Sequence, residues 1–197
     1  MVVRQANDFY PTPDLLAVAI CRRIKLILPG YYHMVVEPSA GDGAFVRPLR
    51  ELWSTRPLWA VDPFCNIKKL EEAGADRVFK EDWVKWVEND GTCGPTLVAG
   101  NPPFNLAQEH ISAGLDHLMP KSHICFLLKL NFFGGRERES TFWRQGQLKH
   151  LVPILPRPSF VKGAKSSTDF NEYGLFIWEV GYPGKPTIEF PHIIWKT

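Results

Sequence analysis

The chain has 197 residues, 45% of them hydrophobic and 13% aromatic, with a formal net charge of +2; this supplies one filled core and excludes a disordered polymer. Its longest apolar run, between Ile124 and Phe133, is broken by Lys129 and Asn131, which excludes a helix of the roughly 20 apolar residues that cross a bilayer. No basic, apolar and small-residue leader opens the sequence, so a cytoplasmic protein with a single domain over residues 1–197 is expected.

Taken in chain order, Thr12-Pro13-Asp14 reads as an N-cap, a first-turn proline and a first-turn acid for a helix that ends before Pro29-Gly30. Met34 to Val36 is a first strand, followed by a glycine turn and a helix over residues 44–53 whose start Pro48 makes irregular or late. Leu58 to Val61 is a second strand, 66–73 a short helix and 76–79 a third strand; an acidic helix with Trp83 and Trp86 follows. Thr96 to Gly100 is the fourth strand, 106–118 a helix and 124–130 the fifth strand. Tyr173 to Val180 returns as an antiparallel partner of a segment near Leu151 to Leu155. This order predicts an α/β, Rossmann-like fold: a mostly parallel sheet with helices on both faces, a C-terminal antiparallel strand, and ligands beyond the C-terminal strand ends.

Charge is uneven. Residues 71–90 hold seven acids and three bases, whereas 121–170 hold nine bases and three acids. Phe132, Phe133, Phe142, Trp143 and Phe160 are interleaved with the second group. Such a mixture supplies phosphate contacts and stacking faces to a polyanion, or else a solvated surface over core aromatics. Cys21, Cys65, Cys93 and Cys125 are spaced by 44, 28 and 32 residues, which fits no metal knuckle; they read as buried thiols, and no metal site is expected.

Glu37-Pro38-Ser39-Ala40-Gly41-Asp42-Gly43 follows a strand and opens a helix, the setting of a nucleotide-binding turn. The third glycine of a dinucleotide fingerprint is replaced by Val46, which disfavours an NAD-linked oxidoreductase. Asp62 stands 21 residues after Gly41 at the end of the second strand, where a carboxylate accepts from ribose hydroxyls. Asp82 is placed to accept from an adenine amine beside the face of Trp83, or to cap a helix beside a core aromatic. In Asn101-Pro102-Pro103-Phe104 two prolines fix the backbone between an amide and an aromatic. The amide carbonyl accepts from an NH2 group without protonating it, and the phenyl ring offers a face to a flat base.

These segments resemble class I adenine-N6 DNA methyltransferases, especially small phage-type or orphan members. Asp8-Phe9-Tyr10-Pro11-Thr12-Pro13 is similar to that family's motif on the methionine side of the cofactor, the 37–43 turn to its cofactor glycine motif, and Asn101-Pro102-Pro103-Phe104 to its catalytic motif. The late block with Arg157-Pro158-Ser159-Phe160, residues 165–170 and Tyr173 to Trp178 resembles the phage proteins too. The resemblance implies S-adenosyl-L-methionine as cofactor, bound by Phe9, Tyr10, Pro11, Thr12, Glu37, Ser39, Gly41, Gly43, Asp62, Asp82 and Trp83, and DNA as partner with its target adenine flipped out. It implies the host cell cytoplasm if the chain is phage-encoded. The sequence leaves no room for a large target-recognition domain, so recognition falls to loops near 131–149 and 157–172, is slight, or comes from another subunit. A protein glutamine amide methyltransferase shares the Asn-Pro-Pro-aromatic motif but generally carries an additional N-terminal domain, and only 33 residues precede the first strand here; RNA adenine and a non-catalytic nucleic-acid-binding role remain as alternatives, and the oligomeric state is open.

Overall fold

Alternation of apolar side chains along the strands decides which helix covers which face of the sheet. The computed structural model describes residues 11–90, 93–135, 138–139, 142–143, 146–158, 160, 171–190 and 192–196. Five strands, β1 (Met34–Glu37), β2 (Leu58–Val61), β3 (Arg77–Phe79), β4 (Thr96–Gly100) and β5 (His123–Lys129), pair in parallel. Helix α1 (Asp14–Ile27) precedes them, and α2 (Val46–Leu52), α3 (Ile67–Glu72), α4 (Trp83–Asp90) and α5 (Ala107–His117) connect them. Four further strands follow: β6 (Leu148–Leu155), β7 (Tyr173–Glu179), β8 (Thr187–Ile188) and β9 (Ile193–Ile194). The spatial order is β3-β2-β1-β4-β5-β7-β6-β8, with β9 also on β6. β7 runs antiparallel to both β5 and β6.

Cys125 and Leu127 of β5 join Leu16, Ile20 and Ile24 of α1, Leu49 of α2 and Leu70 of α3 in one buried layer. Their sequence neighbours Ile124, Phe126 and Leu128 point the other way and join Trp83, Trp86 and Val87 of α4 with Ile111 of α5. A period of two along the strands thus produces two cores, one on each face. The order reverses at β1, which has β2 on one side and β4 on the other. A crevice forms at such a switch point, beyond the C-terminal strand ends.

Several local expectations change. Pro13, rather than Thr12, is the N-cap of α1, with no side-chain capping bond; the Thr12 hydroxyl is engaged elsewhere. α2 starts late, at Val46, so Pro48 falls in its first turn, where a missing N–H removes no helical bond. Cys93 is exposed, unlike the other three thiols. The described bases of 121–170 do not form one surface. Lys121 and Lys149 pair with buried Glu179 at the opposite edge of the sheet, at 2.9 and 2.6 Å, and Arg157 pairs with Glu172 at 2.8 Å. Phe132, Phe142 and Phe160 are core residues, whereas Phe133 is partly exposed and stacks on Trp143. Arg136, Arg144, Lys162 and Lys165 lie outside the described residues. Among the described residues no helix is long and apolar enough to cross a membrane.

Candidate active site

A cleft of about 1150 Å³ opens at the C-terminal ends of the parallel strands. Pro11, Thr12, Glu37, Ser39, Gly41, Asp62, Asp82, Trp83 and all of Asn101 to Phe104 line it. The residues just named lie up to 93 positions apart in sequence, from Pro11 to Phe104, yet meet because they stand at strand ends of the same sheet or just before α1. Phe9 and Tyr10 lie outside the described residues.

Asp62 organises one wall. Its Oδ2 accepts from the Gly41 N–H at 2.9 Å and its Oδ1 from the Phe64 N–H at 2.8 Å. Each carboxylate oxygen keeps a second lone pair for a ligand hydroxyl. Gly41 has φ +46°, which aims its N–H at that carboxylate. Gly43 has a different task. At φ +81° it turns its missing Cβ toward α3, where a methyl group would stand 3.1 Å from Leu70 Cδ2, and it is not in the cleft lining. The second glycine thus lets the turn pack closely on α3.

Glu37 ends β1 and is buried among these groups. Burial, and then the Asp62 carboxylate nearby, push its carboxyl well above the ordinary range, against the opposing effects of the Val46 N–H and Arg47. The shift favours the acid form, in which the Glu37 carboxyl can donate a hydrogen bond as well as accept one.

Asp82 caps a helix and also stands at the cleft. Its Oδ1 accepts from the N–H groups of Val84 and Lys85, at 2.9 and 3.3 Å, and so caps α4, while the residue also borders the cleft. The capping bonds use Oδ1 and not Oδ2. Trp83 is only 1% exposed: Trp86 stacks on it at 5.5 Å, and its Nε1–H donates to the His110 carbonyl at 3.0 Å. The tryptophan is a fixed wall of the cleft more than an open stacking face.

Phe64 and His110 are among the lining residues that the sequence reading did not single out. Phe64 is 76% exposed at the cleft and is held by Asp62 through its backbone; its signal was an aromatic two positions after a strand-end acid. His110, on α5 below Asp82, is buried, and burial lowers it to about 4 although Asp82 acts in the opposite sense. Its ring is neutral near pH 7. No sequence signal separated it from an ordinary core histidine.

The Asn101 segment leaves β4 beside the end of β1. Asn101 Nδ2 donates to Thr12 Oγ1 at 3.0 Å, and Oδ1 is buried. Phe104 packs between Phe160 and Tyr173, with ring centroids 6.4 and 6.0 Å away, and the Lys129 ammonium stands over the Phe104 ring at 4.9 Å. Across the sheet edge the order is therefore Asp82 after β3, Asp62 after β2, Glu37 on β1 and Asn101 after β4.

No protein-family model and no curated protein matches the chain. Solved structures do. A Listeria monocytogenes protein described as a class I S-adenosylmethionine-dependent methyltransferase superposes with TM-score 0.65 at 14% identity, over 96% of this chain and 66% of that one. The methyltransferase subunit of a type I restriction-modification system from Streptococcus thermophilus gives 0.64 at 12% identity, over 88% of this chain and 45% of that one. A plantazolicin methyltransferase in complex with SAH gives 0.56 at 10% identity, over 84% and 83%. The chain thus spans just under two thirds of the Listeria protein and less than half of the restriction subunit. The fold is that of the Rossmann-like class I methyltransferases.

Proposed function

We propose that this chain transfers a methyl group from S-adenosyl-L-methionine to the N6 amine of an adenine in nucleic acid, with DNA as the substrate. The observation that carries the reading is the shared cleft: Asn101 to Phe104 line the same cavity as Gly41, Asp62 and Asp82. Neighbouring strands are about 4.8 Å apart, so Asp82 and Asn101, three strands apart in the sheet order, are separated by roughly 14 Å along the edge. That span suits an extended nucleoside cofactor. Asp82 and Phe64 would take its adenine, Asp62 its ribose, and the region of Thr12 and Glu37 its amino-acid end. At about 1150 Å³ the cleft exceeds the roughly 300–1,000 Å³ of ordinary small-molecule sites and leaves room for a flipped base.

The cofactor supplies an electrophilic methyl group on a sulfonium. The chain supplies position. Pro102 and Pro103 fix the backbone, Asn101 accepts from the target amine through its amide carbonyl, and the Phe104 ring takes one face of the base. Neighbours that act in restriction-modification add weight to a DNA substrate. The test is methyl incorporation into equal amounts of double-stranded DNA, single-stranded DNA and structured RNA, followed by digestion to nucleosides. N6-methyladenine in DNA supports the proposal; preference for RNA moves the substrate, and a different methylated product removes the adenine assignment.

A further inference from the structure

A second, smaller cavity of about 160 Å³ adjoins the tetrapeptide, lined by Phe104, Leu128, Lys129, Asn131, Phe132 and Arg138. Two cationic side chains and one amide border it, and among these described residues there is no carboxylate. Its cations are set by the fold. Arg138 Nε–H donates to the Phe132 carbonyl at 2.9 Å, and the guanidinium lies over the Phe132 ring at 4.7 Å. Gly135 makes this approach feasible, since a Cβ there would stand 2.6 Å from Arg138 Cζ and Nη2. Holding Nε in this way leaves the Nη donors of the planar fork for an external anion. Lys129 stands on the other side, at the end of β5.

We propose that this pocket between Lys129, Asn131 and Arg138 is a phosphodiester subsite that holds the strand carrying the acceptor nucleotide next to Phe104. The inference rests on the nucleic-acid reading above and adds the group by which the strand is held. A guanidinium fork and an ammonium around a small polar hollow match a tetrahedral oxyanion better than they match a base, a sugar or an apolar side chain. The Lys129 contact with Phe104 couples the subsite to the base.

The test measures binding of a 20-nucleotide adenine-containing oligonucleotide as single-stranded DNA, duplex DNA and RNA over a range of salt concentrations. Neutralising one phosphate contact lowers the slope of log affinity against log salt by about 0.7 for single strands and 0.9 for the duplex. Arg138→Gln is expected to lose about that amount, and Arg138→Lys to keep it. Gly135→Ala, which displaces the guanidinium without removing its charge, is expected to weaken binding in the same direction; thermal melting checks that each variant is folded. An Arg138→Gln slope equal to that of the wild type, in a folded variant, overturns the subsite. Wild-type binding with the expected slopes but no methyl transfer to adenine rejects the functional reading and leaves the subsite standing. Failure of the wild type to bind all three strands overturns both. Loss of slope confined to RNA assigns the phosphate to an RNA strand.

Discussion

Thr12 and Asn101, 89 residues apart, meet at 3.0 Å through Oγ1 and Nδ2. Thr12 stands just before α1 and Asn101 just after β4, so the bond ties the start of the chain's first helix to the tetrapeptide and fixes the plane of the amide. Thr12→Val keeps the shape and removes the acceptor. A bond of about 1 kcal/mol corresponds to roughly fivefold, so the single-turnover rate should fall by about that factor, and Thr12→Ser should restore it. An unchanged Thr12→Val rate would mean that the amide is oriented without this contact.

Asp62 has two tasks, and its removal should report both. Asp62→Ala is expected to weaken S-adenosyl-L-methionine binding tenfold to a hundredfold, about 1.5–3 kcal/mol, through loss of a charged acceptor. Melting temperature should also drop, because the Gly41 and Phe64 N–H groups lose their partner. Titration calorimetry and thermal melting measure the two effects separately. Nucleic-acid affinity should change less than cofactor affinity.

Gly43→Ala separates packing from binding within the glycine turn. The φ of +81° and the 3.1 Å approach to Leu70 Cδ2 predict a loss of about 1–3 kcal/mol in a denaturant titration. Cofactor affinity of the folded variant should stay within about twofold. A selective loss of affinity with unchanged stability would place Gly43 against the ligand.

Acid should destabilise the protein in two windows. Burial lowers both His110 and His123 to about 4. The unfolded chain, with histidine near 6.5, then binds protons that the folded chain refuses as pH falls from 6.5 to 4. Stability from these rings is complete above 6.5 and is lost through that range, at roughly 3 kcal/mol for each ring. Burial alone would raise Glu179, but hydrogen bonds from Lys149 and Lys121 override it and hold the carboxyl at about 2. Its contribution is present above the ordinary value near 4.5 and is lost as pH falls toward 2. Urea unfolding of the wild type, His110→Gln and Glu179→Gln across pH 2–8 checks the assignment. His110→Gln should flatten the upper window, and Glu179→Gln the lower.

The sheet was legible because its strands are short apolar runs bounded by Gly, Pro and Asn; β2 and β4 fall where their residue pattern placed them. The place of Asp62 and Asn101 in the cleft was legible for a related reason: a polar residue that ends such a run stands at the C-terminal edge of the sheet. Thr12 was read as a cap and is instead the partner of Asn101, a pairing across 89 residues that local pattern cannot register. Gly43 was grouped with Gly41, although only the built turn shows one glycine aimed at Asp62 and the other at α3. The basic stretch misled in part. Among the described residues, Lys121 and Lys149 belong to the Glu179 cluster, Lys129 and Arg138 to the small pocket, and Arg157 pairs with Glu172; composition carries no direction.

The most direct test of the central claim is single-turnover methyl transfer by Asn101→Ala at saturating S-adenosyl-L-methionine and DNA, a regime that isolates the chemical step from binding. If Asn101 grips the adenine amine, the rate should fall by about 10²-fold or more, the scale seen when one preorganised contact is removed from a transition state. Cofactor affinity and melting temperature should stay close to the wild type. Asn101→Asp, which keeps the acceptors and adds a charge, should retain partial activity that improves as salt screens its repulsion from DNA phosphates. Methyl transfer by Asn101→Ala at the wild-type rate would contradict the account and reduce the tetrapeptide to a structural turn.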